Sequence, residues 1–291
     1  MENQSDKAIT IIIPAYNEAT GIENVLNRLK STLSEAPFKW ELLVVDDGSS
    51  DGTSEIVQKS GIRTIRHSEN RGYGAALKTG IRSSNTPWFA IIDADGTYPE
   101  DELIHLSEFM DESDMIIGAR TGASVHIPLI RRPAKAFITW LAGYVSSRKI
   151  PDLNSGLRIM RKEAVLKYIH LLPDGFSFTS TISIAMLVDG YRVKYVPINY
   201  HHRKGKSKIR PVYDTLNFMS LIVRTIMYFR PLRVFFPFSI FLFLLGILVL
   251  PVSFYATGRI MDSSSTILLM SSVQVLALGL LAEVVVRRTS S

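Results

Sequence analysis

Two long apolar stretches near the carboxyl end place the strongest constraint on the fold. Residues 235–255 and 267–286 are each long enough to cross the hydrocarbon core of a bilayer, which is about 30 Å thick. Only Gln274 and Glu283 interrupt the second stretch. We therefore predict that residues 231–291 form a two-helix transmembrane anchor.

Basic residues flank the outer ends of this anchor. Arg230 and Arg233 precede the first stretch, and Arg287 and Arg288 follow the second. Because lysine and arginine concentrate on the cytoplasmic side of membrane proteins, we expect an integral membrane protein with both termini in the cytoplasm. The polar amino-terminal segment has neither a basic region nor an apolar core, so no signal peptide is predicted and the catalytic domain should be cytoplasmic as well.

Charge and composition exclude several classes of function. The chain has no cysteine, which excludes disulfides, thiolate metal sites and a cysteine nucleophile. Its net charge is +6, but the basic residues concentrate in segment 203–210, beside the anchor. Anionic lipid headgroups or a lipid phosphate fit that position better than nucleic acid, and we predict no nucleic-acid partner.

Short β-branched runs alternate with amphipathic segments through residues 1–210. This alternation predicts an α/β domain with a mostly parallel, doubly wound sheet. Four helices are predicted: from about residue 21 to 33, beginning near 53, after segment 70–74 through 81, and from segment 176–180 to about 189. Strands are predicted at 8–13, 41–45, 62–66, 88–92, 115–118 and 192–197.

Polar motifs follow three of these strands directly: Asn17-Glu18, Asp46-Asp47 and Asp93-Ala94-Asp95. The carboxyl ends of parallel strands share one edge, where ligands bind, so these motifs predict a composite site. Two carboxylates separated by one small residue can converge on Mg2+ or Mn2+, which prefer oxygen ligands and bridge to substrate phosphates. The alternative for Asp93 and Asp95 is a helix cap or a local turn.

Four further features have both a functional and a structural interpretation. The glycines of segment 70–74 are spaced like a phosphate loop, but a turn before a helix explains them almost equally well. Lys78 is placed to reach a diphosphate or to be a solvated surface lysine. Arg120, at a strand end, either binds a diphosphate or forms a surface ion pair. Asp152 adds another acidic group that could face the site.

Two segments outside the strands have the character of membrane-surface helices. Residues 131–148 combine basic residues with an apolar stripe that includes tryptophan and tyrosine. This pattern suits either a helix at the membrane interface or a helix packed on the core. Residues 211–230 are apolar over a wide face and predict a second interfacial helix. The cationic loop at 201–208 precedes it and is suited to anionic headgroups or to one lipid phosphate.

Six motifs occur in an order that resembles the family 2 glycosyltransferases of the Rossmann-like GT-A fold. Within that family the chain is most similar to the branch that includes dolichyl-phosphate mannose synthases, some of which carry two C-terminal spans. The resemblance implies transfer of a sugar from a nucleotide-sugar donor, either GDP-mannose or a UDP-hexose, to a polyprenyl phosphate. The motifs lie at 14–18, 46–53, 70–72, 93–99, 155–156 and 205–208.

This resemblance and the residue patterns described above together predict roles for particular residues. The metal ligands, for Mg2+ or Mn2+, are Asp93 and Asp95. The groups with a direct role in catalysis are Asp95, Asp152 and Arg203. The predicted donor-binding residues are Pro14, Tyr16, Asn17, Glu18, Asp46, Asp47, Lys78, Asp93 and Arg120. The predicted acceptor-phosphate residues are Ser155, Arg203, Lys206, Ser207 and Lys208.

Two departures from the family pattern bear on the mechanism. Thr97 stands where relatives often have glutamine, so we leave it out of the metal site. Residues 176–180 have no acidic pair, which hydroxyl-glycosylating relatives use as general base. A lipid phosphate is already ionised, so it can attack without a general base. The metal ion and the basic side chains would offset the repulsion between the donor and acceptor phosphates. Asp152 would orient the acceptor or the sugar.

Two other functions stay open at this point. A glycosyltransferase acting on a saccharide or glycolipid hydroxyl would need a base, for which Asp152 is the one obvious candidate. A nonenzymatic, nucleotide-sugar-binding membrane scaffold is the second alternative, although both Asp93 and Asp95 are present. A homo-oligomer is compatible with each of these functions.

Overall fold

A computed structural model describes residues 7–121, 143, 150–175, 177–200, 227–228, 230–258 and 262–289. The chain divides into two compact units, residues 1–218 and 219–291. The predicted interfacial helices at 131–148 and 211–230 lie almost wholly outside the described residues, and the cationic segment 203–208 lies outside them entirely.

The first unit is built on a sheet to which the described residues contribute seven strands, in the order β3-β2-β1-β4-β6-β5-β7. All neighbouring strands are parallel except that β6 runs antiparallel to both β4 and β5. The predicted α/β fold with a mostly parallel sheet is therefore confirmed. The strands are β1 Ala8–Ala15, β2 Lys39–Asp46, β3 Arg63–Arg66, β4 Trp88–Ile91, β5 Met115–Ala119, β6 Arg158–Arg161 and β7 Val193–Pro197.

The helices of this unit connect the strands and cover the sheet. They are α1 Ile22–Leu33, α2 Thr53–Lys59, α3 Tyr73–Ser83, α4 Glu102–Ser107, α5 Lys162–Leu166 and α6 Phe178–Val188. Helix α1 buries only one face, on which its apolar residues recur at helical spacing. Helix α6 is buried all round, since all eleven of its residues are buried. Strand β6 and the short helices α4 and α5 were not predicted from the sequence.

The core has two sides because the sheet is covered on both faces. Ile9, Ile11 and Ile13 of β1 pack in one cluster with the apolar residues of α1. Ile12 points to the opposite face, where a methyl group placed at Gly80 of α3 would lie only 2.5 Å from its Cγ2 atom. Burial on both faces explains why β1 is continuously apolar rather than alternating.

The antiparallel strand β6 determines where the segment before it lies. Arg158, its first residue, is in register with Ile91 near the end of β4 and with Ile117 of β5. Because β6 begins where β4 and β5 end, residues 152–156 lie at the carboxyl edge of the sheet. This edge also holds the loops that follow β1, β2 and β4.

The second unit contains two long apolar helices, α7 Leu232–Thr257 and α8 Asp262–Thr289. Residues 232–255 and 263–286 have mean hydropathies of 2.6 and 2.0, and few of these residues are buried, unlike those of a core helix. Polar contacts join the helices, since Ser239 Oγ donates to the Ser272 carbonyl (2.9 Å) and Ser265 Oγ to the Gly246 carbonyl (2.7 Å). Both helices are long and apolar enough to cross a membrane, as predicted.

Candidate active site

The loops that follow β1 and β2 are joined by hydrogen bonds. The backbone N–H of Asn17 donates to Ser49 Oγ (3.0 Å), and the Ser50 N–H donates to Asn17 Oδ1 (2.9 Å). The Glu18 N–H donates to Thr53 Oγ1 (2.9 Å). Asn17 has a φ of 56°, a left-handed conformation that asparagine tolerates better than most residues. Its side chain therefore organises the loop.

Asp46 offers a buried acceptor next to this loop. Its side chain is fully buried, and Oδ1 accepts a hydrogen bond from the Ser49 N–H (2.9 Å). Oδ2 lies 3.5 Å from Arg66 Nε and has no hydrogen bond within the described part of the chain. Pro14 is buried in β1, whereas Tyr16, just beyond that strand, is 38% exposed. A buried carboxylate oxygen beside an exposed ring suits the N–H or hydroxyl of a nucleoside.

Asp47 makes its hydrogen bonds to the protein itself. Its carboxylate accepts the backbone N–H groups of Arg71 (2.9 Å) and Gly72 (2.8 Å). Oδ1 also lies 2.7 Å from His67 Nδ1, and the other ring nitrogen of His67 is 2.9 Å from Thr79 Oγ1. These bonds shape the loop before α3, so we leave Asp47 out of the donor site that we propose below.

The glycines before and within α3 allow close packing of two backbone segments. A methyl group at Gly72 would lie 2.5 Å from the Asp174 carbonyl oxygen, and one at Gly74 would lie 2.2 Å from the Pro173 carbonyl oxygen. The Ala75 N–H donates to the same Asp174 carbonyl (3.1 Å). The amino end of α3 is thus occupied by the chain itself, which supports the structural-turn interpretation over the phosphate-loop interpretation.

Lys78 is bound to this same segment. Its ammonium group donates to the Leu172 carbonyl (2.7 Å) and pairs with Asp174 Oδ1 (2.6 Å). The structure therefore does not support the prediction that Lys78 reaches a donor diphosphate, because its charge is already neutralised. The lysine stabilises the packing of α3 against segment 172–175.

Asp93 lies between a hydroxyl group and a glycine. The Tyr73 hydroxyl donates to Asp93 Oδ1 (2.9 Å), and a methyl group at Gly156 would lie 2.5 Å from Asp93 Oδ2. The Gly156 N–H in turn donates to the Tyr98 hydroxyl (2.6 Å). Burial and the charge of Asp93 raise the pKa of Tyr73 well above its usual value, which keeps its hydroxyl protonated.

Asp95 is oriented by Thr97. The hydroxyl and the backbone N–H of Thr97 donate to Asp95 Oδ1 at 2.6 Å and 3.1 Å. In the described ranges, no group of three or more histidine, cysteine or acidic side chains could hold a metal. The donor set of Asp93 and Asp95 nevertheless fits Mg2+ or Mn2+, which commonly bind to one or two carboxylates and to substrate phosphates.

Arg120 and Asp152 form a buried ion pair. Arg120 donates from Nε to Oδ2 (2.7 Å), from Nη2 to Oδ1 (3.0 Å) and from its backbone N–H to Oδ2 (3.1 Å). Oδ1 also accepts the Asn154 N–H (3.2 Å). Burial alone would raise the pKa of Asp152, but the hydrogen bonds and charge of Arg120 outweigh it and hold the pKa below its usual value.

Arg158 is a structural residue of the site that the sequence analysis missed. This arginine is fully buried beneath segment 152–156, and it donates to the carbonyls of Ser155 (2.7 Å) and Leu153 (2.9 Å). It also donates to the Thr179 carbonyl (2.9 Å) and to Ser183 Oγ (2.6 Å). The sequence did offer one sign of this role, because Arg158 stands inside an otherwise apolar run. Ser155 itself is fully buried.

Tyr200 is a second residue that the sequence analysis missed. Its ring centroid lies 5.3 Å from Arg120 Cζ and 5.2 Å from the centroid of the Tyr98 ring, which it contacts edge to face. Tyr200 is the last described residue before segment 201–226. The predicted acceptor residues of that segment lie outside the described residues: Arg203, Lys206, Ser207 and Lys208.

Comparisons with solved structures define the class of fold. Glucosyl-3-phosphoglycerate synthase from Mycobacterium tuberculosis, crystallised with Mn2+, UDP-glucose and phosphoglyceric acid, superposes with a TM-score of 0.61. The match covers 76% of this chain and 80% of that one at 18% sequence identity, so it concerns the fold. The catalytic unit therefore has the GT-A fold.

Comparison with protein families identifies the family itself. The family description "Glycosyl transferase family 2" matches residues 10–169, and "GtrB C-terminal hairpin" matches residues 230–287. The chain belongs to glycosyl transferase family 2 and is a membrane-associated glycosyltransferase, as predicted.

Several curated relatives extend over most of the chain. An uncharacterized protein of Methanocaldococcus jannaschii is 35% identical over 65% of this chain and 80% of its own length. The dolichyl-phosphate hexose transferase of Haloferax volcanii is 29% identical over 70% of this chain and 87% of its own length. The dodecaprenyl-phosphate galacturonate synthase of Rhizobium johnstonii is 27% identical over 96% of this chain and 88% of its own length, so the alignment includes the apolar hairpin.

Proposed function

We propose that this glycosyltransferase transfers a sugar from a nucleotide-sugar donor, GDP-mannose or a UDP-hexose, to a polyprenyl phosphate. The product is a polyprenyl-phosphate sugar with inverted anomeric configuration. Two of the relatives are named as enzymes of dolichyl or dodecaprenyl phosphate, which supports this acceptor class.

The state of Asp152 is the observation that carries the proposal. Both of its oxygens accept hydrogen bonds from Arg120, and its pKa is held low, which makes it a poor general base. The first turn of α6, Phe178–Val188, has no acidic residue either. A sugar hydroxyl needs a base, whereas a lipid phosphate is already ionised. The arrangement therefore favours a phosphate acceptor over the hydroxyl-glycosylating alternative.

The donor site that we propose lies along the ends of β1, β2 and β4. Tyr16, Glu18 and Asp46, with Pro14 behind them, would hold the base and ribose. Asp93 and Asp95 would hold Mg2+ or Mn2+, which supplies charge stabilisation for the departing nucleoside diphosphate. The ion pair of Arg120 with Asp152 borders this site, and Asp152 orients the sugar or the acceptor through that pair.

The reaction is a direct displacement at the anomeric carbon. An oxygen of the lipid phosphate attacks that carbon, and the bond from the carbon to the diphosphate oxygen breaks. The nucleoside diphosphate leaves with the electron pair, so no proton transfer is needed. Positioning of two anionic groups is the main task of the protein. We assign the acceptor phosphate to Arg203, Lys206, Ser207 and Lys208. Ser155, which is fully buried, is left out of the acceptor site that we propose.

The apolar hairpin would keep the enzyme at the membrane that holds its acceptor. We propose that both termini and the catalytic unit face the cytoplasm, because arginines flank the outer ends of the hairpin. The basic segment 203–210 precedes the hairpin in the sequence, and we propose that it meets a lipid phosphate in the headgroup layer.

A transfer assay tests the proposal. Purified full-length protein in detergent is incubated with Mg2+, dolichyl or undecaprenyl phosphate, and radiolabelled GDP-sugars and UDP-sugars in turn. The variants are Asp95→Ala and Arg203→Ala. Arg192→Ala is the matched arginine control, because its side chain is 58% exposed and pairs only loosely, at 3.5 Å, with Asp114.

We expect lipid-extractable label with one class of donor, strongly reduced in the Asp95 and Arg203 variants and retained in the Arg192 variant. Label that appears only on an added saccharide or glycolipid would contradict the acceptor assignment. Donor binding without any transfer would instead favour a nucleotide-sugar-binding scaffold.

A further inference from the structure

We propose that Tyr73 and Gly156 are positioning residues that hold Asp93 in the orientation needed to bind a metal ion. The inference rests on the proposed function, because it takes Asp93 to be a metal ligand. Neither residue would touch the ion. Each would act on the carboxylate from a different side and from a different element of the fold.

Tyr73 acts on one oxygen. It is the first residue of α3, and its hydroxyl donates to Asp93 Oδ1 over 2.9 Å. Tyr73 is partly buried, which reduces the competition of water for this bond. A directional bond to one oxygen fixes the rotation of the carboxylate about its Cβ–Cγ bond. Substituting a residue that hydrogen-bonds to a metal ligand in this way typically lowers metal affinity by about 10-fold to 100-fold.

Gly156 leaves space for the rest of the carboxylate. A methyl group there would lie 2.5 Å from Asp93 Oδ2 and 2.9 Å from its Cγ and Oδ1 atoms, distances that unbonded atoms do not adopt. Any side chain at this position would therefore displace Asp93. The backbone of Gly156 is itself held, since its N–H donates to the Tyr98 hydroxyl (2.6 Å).

The topology explains why these two residues meet Asp93. Ile91, the last residue of β4, pairs with Arg158, the first residue of the antiparallel β6. Continuing this register by two residues brings the position two residues after β4 opposite the position two residues before β6. Asp93 and Gly156 are consequently opposite each other. Tyr73 approaches from α3, whose amino end is fixed against segment 172–175 by the Ala75 N–H and by Lys78. The carboxylate is therefore oriented by contacts distant in sequence.

Direct Mn2+ binding tests the inference without relying on turnover. Full-length protein in detergent is titrated with Mn2+ in the presence of UDP or GDP, and free Mn2+ is followed by electron paramagnetic resonance. The variants are Tyr73→Phe, Gly156→Ala and Asp93→Asn. Tyr168→Phe is the matched control, because the Tyr168 hydroxyl also donates to an aspartate, Asp189 at the end of α6. Metal-free unfolding temperatures are measured for every variant.

We expect Tyr73→Phe and Gly156→Ala each to weaken Mn2+ binding by about 10-fold or more, with Tyr168→Phe close to wild type. A change of less than about twofold in Tyr73→Phe or in Gly156→Ala would overturn the role of that residue. If one variant fails to fold, the other decides, because the two residues contact Asp93 from different elements of the fold. Wild-type binding by Asp93→Asn would instead refute the metal site of the proposed function.

Discussion

Arg120 and Asp152, which are 32 residues apart in sequence, form a bidentate ion pair with donor–acceptor distances of 2.7 Å and 3.0 Å. The pair joins the end of β5 to the segment that leads into β6. Asp152 is 3% exposed and Arg120 23% exposed, so solvent screens the pair only weakly. This contact accounts for both residues without any bound substrate, and it joins a candidate catalytic group and a candidate donor-binding group in one structural unit at the edge of the site.

Asp152→Asn should destabilise the catalytic unit. The change leaves the buried guanidinium of Arg120 without a counter-charge, and the expected loss of unfolding free energy is about 3 kcal/mol. Chemical denaturation followed by tryptophan fluorescence measures it, because all three tryptophans lie in residues 1–218. Asp114→Asn is the control, since its arginine partners are 3.5 Å away and 42–58% exposed. Equal losses in the two variants would contradict this interpretation.

The same pair predicts a dependence of stability on pH. The pKa of Asp152 is lower in the folded protein than in the unfolded chain, so protonation favours unfolding. Ionised Asp152 makes its full contribution to the free energy of unfolding above about pH 3.9, the pKa of an aspartate in the unfolded chain. This contribution is lost as the pH falls from there through the lower pKa that Asp152 has in the folded protein. The difference in unfolding free energy between wild type and Asp152→Asn should therefore be constant from neutral pH to about pH 5 and shrink in acid. A difference that persists at full size in acid would show that the charge of Asp152 is not its source.

Gly74→Ala should destabilise the packing of α3. The added methyl group would lie 2.2 Å from the Pro173 carbonyl oxygen, a backbone atom that cannot move aside cheaply. We expect a loss of about 1–3 kcal/mol in unfolding free energy, measured by the same denaturation. Gly21→Ala is the control, because a methyl group there meets nothing within 4 Å and its loss should stay below about 1 kcal/mol. A Gly74 variant as stable as the Gly21 variant would refute the close approach.

Arg158→Lys should be far more damaging than a conservative change usually is. Lysine keeps the charge but cannot reach the Ser155, Leu153 and Thr179 carbonyls together, so buried acceptors lose their donors. We expect a loss of at least about 2 kcal/mol. Arg161→Lys, with its side chain 42% exposed, should cost less than about 1 kcal/mol. Similar losses at both positions would mean that Arg158 contributes only its charge.

Local patterns in the sequence determined most of the fold. Short apolar β-branched runs such as 8–13 predict strands, and the spacing of apolar residues predicts α1. The length and hydropathy of 235–255 and 267–286 predict the two long helices, which the structure extends by a few residues at each end. Acidic residues directly after strands predict which edge of the sheet carries Asp46, Asp93 and Asp95. These inferences succeed because each depends on neighbours a few residues away.

Only the tertiary structure decided how the site is assembled. The antiparallel register of β6 places Gly156 beside Asp93 and Asp152 beside Arg120, and no local pattern encodes that register. Asp47 and Lys78 have the residue types of ligand-binding groups, yet folding brings protein partners to both: backbone N–H groups and His67 to Asp47, and the Leu172 carbonyl and Asp174 to Lys78. The physical reason is that a polar side chain takes whichever partner the packing supplies, and pairing between distant strands determines that partner.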